Sequence, residues 1–314
     1  MSCLPRFSMR TRTYLNSLSD DEIEIQLEYS NLTKFDNLTR FNKLKYLRCP
    51  CSNTNTIPPL PDTIEILHLQ CNSIQHIDKL PISLTNLDIS TNLISVLPPI
   101  PQKLEIFNCS YNNLTTIPPL PPTLETLECC YNQIQSLPAQ SHTQLMLFEC
   151  SYNSIQELPP LSPCLTQLYC SDNCLRKIPP LPNTVRRLDC STNLITDLPT
   201  LPKNLHHLVC SDNNLRYLPL LPESVETVHF DNNPMCEYFT PFNIPLLRKE
   251  VKIVYNFRST YYHLKFKQRF RNILWNMREH KARIFYSPEN LLQLLKDVDD
   301  DDDDSKLLDI LEQW

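Results

Sequence analysis

Apolar positions follow a fixed order from about residue 25 to residue 235, and that order repeats. In Leu124-Glu125-Thr126-Leu127-Glu128-Cys129-Cys130-Tyr131-Asn132-Gln133-Ile134, apolar side chains hold the first, fourth, sixth and eleventh places and asparagine the ninth. The asparagine returns at Asn72, Asn92, Asn112, Asn132, Asn153, Asn173, Asn193, Asn213 and Asn233, in steps of 20 residues with one step of 21. The fourth place is filled by Leu47, Leu67, Leu87, Phe107, Leu127, Phe148, Leu168, Leu188, Leu208 and Val228, and an earlier, degenerate unit opens at Ile25. The alternation around that place predicts a short strand with one buried face. A period this short and regular predicts about eleven stacked turns with their strands in parallel.

Each unit also predicts how it closes. The asparagine stands where the chain turns inward, and its amide can satisfy backbone groups that water cannot reach. The strand is followed by Leu/Ile-Pro and often Pro-Leu-Pro, as in Ile117-Pro118-Pro119-Leu120-Pro121. Proline removes donors and clashes in a helix, so an extended polyproline arc is expected there.

The unit matches L-x-x-L-x-L-x-x-N-x-L, the leucine-rich repeat, with cysteine often at the third apolar place. The expected fold is a leucine-rich-repeat solenoid: a curved parallel sheet with an extended convex side, then a small helical C-terminal region. The Leu-Pro-x-Leu-Pro punctuation resembles the repeats of bacterial effectors of the YopM and IpaH type, over roughly residues 25–235. Ligase members of that group carry a cysteine in a Cys-x-Asp motif within a large C-terminal domain. Here about 80 residues follow the array, and the cysteine near the junction reads Cys236-Glu237-Tyr238, so the resemblance implies no ligase activity. Residues 1–24 are expected to cap the first turn, with Ser19-Asp20-Asp21-Glu22 as a helix-capping box or a polar loop. The array occupies 25–235, a basic helical region 236–298 and an acidic tail 299–314.

Composition narrows the chemistry. The 314 residues contain no glycine and 28 prolines. Phosphate-cradling loops and nucleophile elbows need glycine for close backbone approach, so those motifs are excluded. The eight histidines are scattered, without metal-ligand spacing, and no nucleophile stands beside a base. No enzyme activity, cofactor or metal is expected. No apolar run is long enough for a membrane helix, and the first residues lack the apolar core of a secretory signal, which predicts an intracellular, cytoplasmic protein.

Cysteine fills seven places of one buried column: Cys49, Cys109, Cys129, Cys150, Cys170, Cys190 and Cys210. There it is expected to act as a small, reduced hydrophobe. The residues between buried places are expected to face outward on the concave side. One such column is largely serine, from Ser90 to Ser211, and is read as solvent-facing. Beside it stand Tyr111, Tyr131, Tyr152 and Asp172, with Glu128, Glu149 and Tyr169 in a third column. Tyrosine offers contact area at low entropic cost, and the carboxylates favour a partner bringing lysine or arginine. These seven residues are the candidate partner-binding site, and a protein-interaction scaffold is the leading expectation.

After the array the charge separates. Residues 237–296 carry a net charge of about +8, and 297–314 about −8. Phe266, Phe270, Ile273 and Met277 recur at helical spacing among arginines, and Ser287-Pro288 is expected to open a second helix. The alternative function is nucleic-acid association through residues 248–283. The string from Phe270 to Trp275, then Tyr286-Ser-Pro-Glu-Asn-Leu291 and Leu308 to Trp314, is similar to C-terminal tails of giant DNA virus proteins of the mimivirus kind. That resemblance implies no activity.

Overall fold

The computed structural model describes residues 13–27, 38–139, 144–237 and 243–285. Eleven strands of three residues each form one parallel sheet in strict sequence order. They are β1 (Glu24–Gln26), β2 (Tyr46–Arg48), β3 (Ile66–His68), β4 (Asn86–Asp88), β5 (Ile106–Asn108), β6 (Thr126–Glu128), β7 (Leu147–Glu149), β8 (Gln167–Tyr169), β9 (Arg187–Asp189), β10 (His207–Val209) and β11 (Thr227–His229). Equivalent residues pair without slippage, as in Leu127 opposite Phe148 and Leu168 opposite Leu188. The central residue of every strand is buried, because period-two alternation turns it into the solenoid. Phe107, Phe148 and Phe230 are among the largest fully enclosed side chains. Between asparagine and the next strand the chain is extended or turned, and among the described residues of 25–233 no helix forms. The proline arc and the short repeat length account for this together.

The asparagines join the turns. Asn112 donates through Nδ2 to the carbonyls of Ile89, Cys109 and Ser110 at 3.0, 3.1 and 3.2 Å, and its Oδ1 accepts the Ile94 N–H at 3.0 Å. Each partner lies on its own turn or the one before. Asn92, Asn132, Asn153, Asn173, Asn193, Asn213 and Asn233 repeat the set, and Asn72 does so with two acceptor contacts, from the Ser52 and Thr54 amides. A second ladder lacked a sequence signal of its own. On the proline arc, Thr63, Thr123, Thr184 and Ser224 donate their hydroxyls to the carbonyls of Leu44, Leu104, Leu165 and Leu205 of the preceding turn, at 2.6–2.8 Å.

Ten residues that immediately follow the serine column, or its Pro50 and Gln70 equivalents, have φ between 51° and 58°: Cys51, Cys71, Thr91, Tyr111, Tyr131, Tyr152, Asp172, Thr192, Asp212 and Asn232. This is the left-handed region, which glycine enters freely and a β-branched or aromatic residue does not. The inward turn that delivers the asparagine amide requires it. Two bonds to the next turn hold it, as when Tyr131 N–H donates to Ser151 O at 3.0 Å and Asn132 N–H to Tyr152 O at 3.2 Å.

The seven column cysteines are buried, and none is in a disulfide. Burial raises the thiol pKa values of all seven, that of Cys49 to about 11. Among the described residues, Cys51, Cys71, Cys164 and Cys174 are exposed.

Both ends of the array are covered. Residues 13–17 are helical and bury Leu15, whose carbonyl accepts from Arg40, while Arg40 also pairs with Asp20 at 2.7 Å. Ser19 to Glu22 form a polar turn and do not start a helix. At the other end, a 3-10 turn (Pro234–Glu237) buries Met235, and a helix begins at Ile244 and runs to Phe285. Its first turns bury Leu247 and Val251 and place Arg248 against the carbonyls of Pro222 and Glu223. The compact unit that contains the array therefore runs to Lys252, and a second unit begins at Ile253. In that second unit, Ile253, Tyr255, Tyr262 and Phe266 are exposed on the helix. The expected second helix from Ser287 and the acidic tail lie outside the described residues.

Replacing Asn132 with leucine leaves the Leu114 amide without its acceptor and takes one of two donors from each of the Cys109, Cys129 and Cys130 carbonyls, and should destabilise the protein by about 1–3 kcal/mol, read as a lower urea midpoint. An unchanged midpoint would refute the ladder's structural role. The thiol column gives a pH dependence of defined sign. Each folded pKa lies above the unfolded value of about 8.5, so stability is lost as pH rises above that value and the unfolded chain ionises first. Under reducing conditions, Cys129→Val should make the fall between pH 9 and 10 shallower by up to about 1.4 kcal/mol per pH unit. Native alkylation should label the four exposed cysteines and spare the column.

Candidate functional site

The seven sequence-predicted site residues fall on adjacent turns of one sheet face, in two columns. Glu128, Glu149 and Tyr169 end strands β6, β7 and β8 and stand in register. Tyr111, Tyr131, Tyr152 and Asp172 occupy the left-handed positions three residues beyond strands β5 to β8. The tyrosines are thus placed by the turn and not by the strand.

That placement stacks them. The Tyr111 and Tyr131 rings lie 4.3 Å apart at 11°, and those of Tyr131 and Tyr152 4.1 Å apart at 10°. These separations are shorter than the ~4.8 Å strand spacing, as side chains on the concave side of a curved sheet must be. The neighbouring Tyr152 hydroxyl, then burial, raises the pKa of Tyr131, and burial, then Tyr131, raises that of Tyr111. Stacking covers both faces of Tyr131. The stack's outer faces belong to Tyr111, beside Thr91, and Tyr152, beside Asp172. The ring faces left open by the stack are therefore those of Tyr111 and Tyr152, with Asp172 beside the Tyr152 end. Tyr169 is not in the stack: its hydroxyl donates to Gln167 on its own strand at 2.9 Å.

The acidic column is locally uncompensated. Glu128 and Glu149 stand directly opposite one another, an arrangement that costs stability in a sheet. Burial, then Glu149 and Asp88, raises the pKa of Glu128. The Glu128 carboxylate accepts a hydrogen bond from Asn108 at 2.9 Å. Among the described residues neither glutamate forms an ion pair, whereas on the first turns Lys45 pairs with Glu65 and Arg48 with Glu24.

The serine column departs from expectation. Ser110, Ser151, Ser171 and Cys130 are buried. The chain is already turning inward there, and the hydroxyls of Ser90 and Ser191 bond to Asp88 and Asp189 two residues earlier, at 2.7 and 2.6 Å. Among the described residues no group of three or more histidine, cysteine, aspartate or glutamate side chains is arranged to hold a metal ion, and no helix is long and apolar enough to cross a membrane.

No family model and no curated protein matches this chain. Solved structures do. YopM from Yersinia enterocolitica is 31% identical over 60% of this chain and 47% of its own, with a TM-score of 0.52. YopM from Yersinia pestis, described as a leucine-rich effector protein, is 25% identical over 73% of this chain and 78% of its own, at 0.58. The functional domain of InlJ from Listeria monocytogenes, described as including a cysteine ladder, is 27% identical over 68% of this chain and 49% of its own, at 0.63. This chain thus spans about half the length of the first and third. The parallel strand order, the repeated asparagine and these likenesses agree: the chain is a leucine-rich-repeat solenoid.

Proposed function

We propose that this chain is a protein-interaction scaffold that captures its partner on the concave face of turns five to eight. The observation that carries the reading is the stacked Tyr111–Tyr131–Tyr152 column beside the unneutralised, in-register pair Glu128 and Glu149. Such a pair costs stability within the fold, and a partner's lysine or arginine would relieve that cost. The three rings are held in fixed register and lose little freedom on binding, the quality expected of interface anchors. Their 39–51% exposure leaves ample area to cover. The rigid parallel sheet supplies the extended surface on which repeat proteins of this kind bind other proteins.

Affinity purification from the native cell with the full chain as bait, compared with a Tyr131→Ala/Tyr152→Ala variant, tests the reading. The double variant should lose its specific partner while its melting temperature falls by no more than a few degrees, because these rings are outside the core. Substituting Pro118 and Pro119 on the convex arc should leave capture intact. Equal recovery with the tyrosine variant would overturn the proposal.

A further inference from the structure

A second row, immediately before the strands, carries charge of both signs. The residues just before strands β5 to β10 are Glu105, Glu125, Met146, Thr166, Arg186 and His206. Backbone hydrogen bonds align them across the strands: Glu125 N–H donates to Glu105 O, Met146 to Glu125, Thr166 to Met146, Arg186 to Thr166 and His206 to Arg186, at 2.7–2.8 Å. The row reads two carboxylates, an exposed thioether, a hydroxyl, a guanidinium and an imidazole. The first strand position on turn nine adds Arg187, also exposed.

Two observations show that these charges are not used internally. In the same row Lys45 and Glu65, on turns two and three, neutralise each other at 2.8 Å. Glu105, Glu125, Arg186 and Arg187 enter no ion pair among the described residues. Like charges are instead adjacent, carboxylate beside carboxylate and arginine beside arginine, with opposite poles three turns apart. Between them Met146 is 43% exposed, and Ile106 beside Glu105 is 41% exposed.

We infer that the face binds an extended polypeptide segment of a partner protein, lying across the strands, with lysine or arginine over Glu105 and Glu125, an apolar residue over Met146, and aspartate or glutamate over Arg186 and Arg187. This rests on the concave-face reading and adds a polarity and a spacing to it. Glu125 and Arg186 are three strand steps apart, about 14 Å. An extended chain covers that distance in about four residues. The paired arginines present a fork suited to a carboxylate, and the apolar centre supplies burial between the poles.

The test uses the full chain, immobilised, and a random twelve-residue peptide library displayed on phage. Enriched sequences should carry a basic and an acidic residue separated by three to five positions, in one direction only. The best of them, made synthetically and labelled, should bind R186E/R187E at least tenfold more weakly by fluorescence anisotropy. Replacing its acidic residue with lysine should restore binding to that variant. Circular dichroism of the variant confirms its fold. Enrichment without an acidic preference, or affinity unchanged in R186E/R187E, overturns the two-pole inference. If such peptides still depend on Tyr131 and Tyr152, the concave-face reading survives alone. No enrichment over bare support overturns both.

Discussion

One side chain amide per turn sets the geometry of the array. An inward-turning chain buries carbonyls and amides that its own strand ladder cannot reach, and leaving them unpaired costs about 1–3 kcal/mol each. Asparagine satisfies three carbonyls and one amide at once, on its own turn and the turn before. No other short side chain has both functions in so small a volume. Strand length, the tight inward turn and the buried Leu/Phe and cysteine columns all accommodate that amide.

The same constraint determines what the concave face can display. Delivering the amide forces the preceding residue into the left-handed region, and this glycine-free chain meets that demand with cysteine, threonine, tyrosine, aspartate and asparagine. A non-glycine residue pays roughly 1–2 kcal/mol there. What it gains is a side chain at a fixed place on every turn, and tyrosine on three consecutive turns becomes a continuous stack. Display and architecture thus share one backbone device: the strained residue is the displayed residue.

The repeat, the strand order, the proline arcs and the buried cysteines were legible in the sequence, because each rests on a period that survives substitution. Tyr111, Tyr131, Tyr152, Glu128 and Glu149 could also be placed on one face by counting. What counting could not give was conformation. Alternation alone continues the strand through Ser110 and Tyr111, which makes the serine outward-facing and the tyrosine a strand residue. The chain has in fact left the strand at Asn108, so Ser110 is buried and Tyr111 is held by a turn. Absence of glycine hid the left-handed positions by removing their usual marker. The charges show the same limit. Lys45 and Glu65 look no different in sequence from Arg186 and Glu125, and only three-dimensional neighbours separate the neutralised pair from the open poles. Tyr169 was placed by counting in the column of Glu128 and Glu149, but only the structure shows that its own strand engages its hydroxyl.

The single 21-residue step, from Asn132 to Asn153, has a consequence for the gene as well as the fold. The extra residue changes neither ladder bond: Asn153 still reaches Cys129 O at 3.0 Å and still accepts the Ile134 amide at 2.9 Å. The bonding counts turns, not residues, so the arcs absorb length changes that a globular core would reject. Because each turn contacts only its neighbours, insertion or deletion of one repeat-length segment of the coding sequence can add or remove a whole turn without disturbing the two covered ends. The reach of the displayed surface, and with it the spacing between its charged poles, is therefore a quantity that inheritance can adjust in single-turn increments.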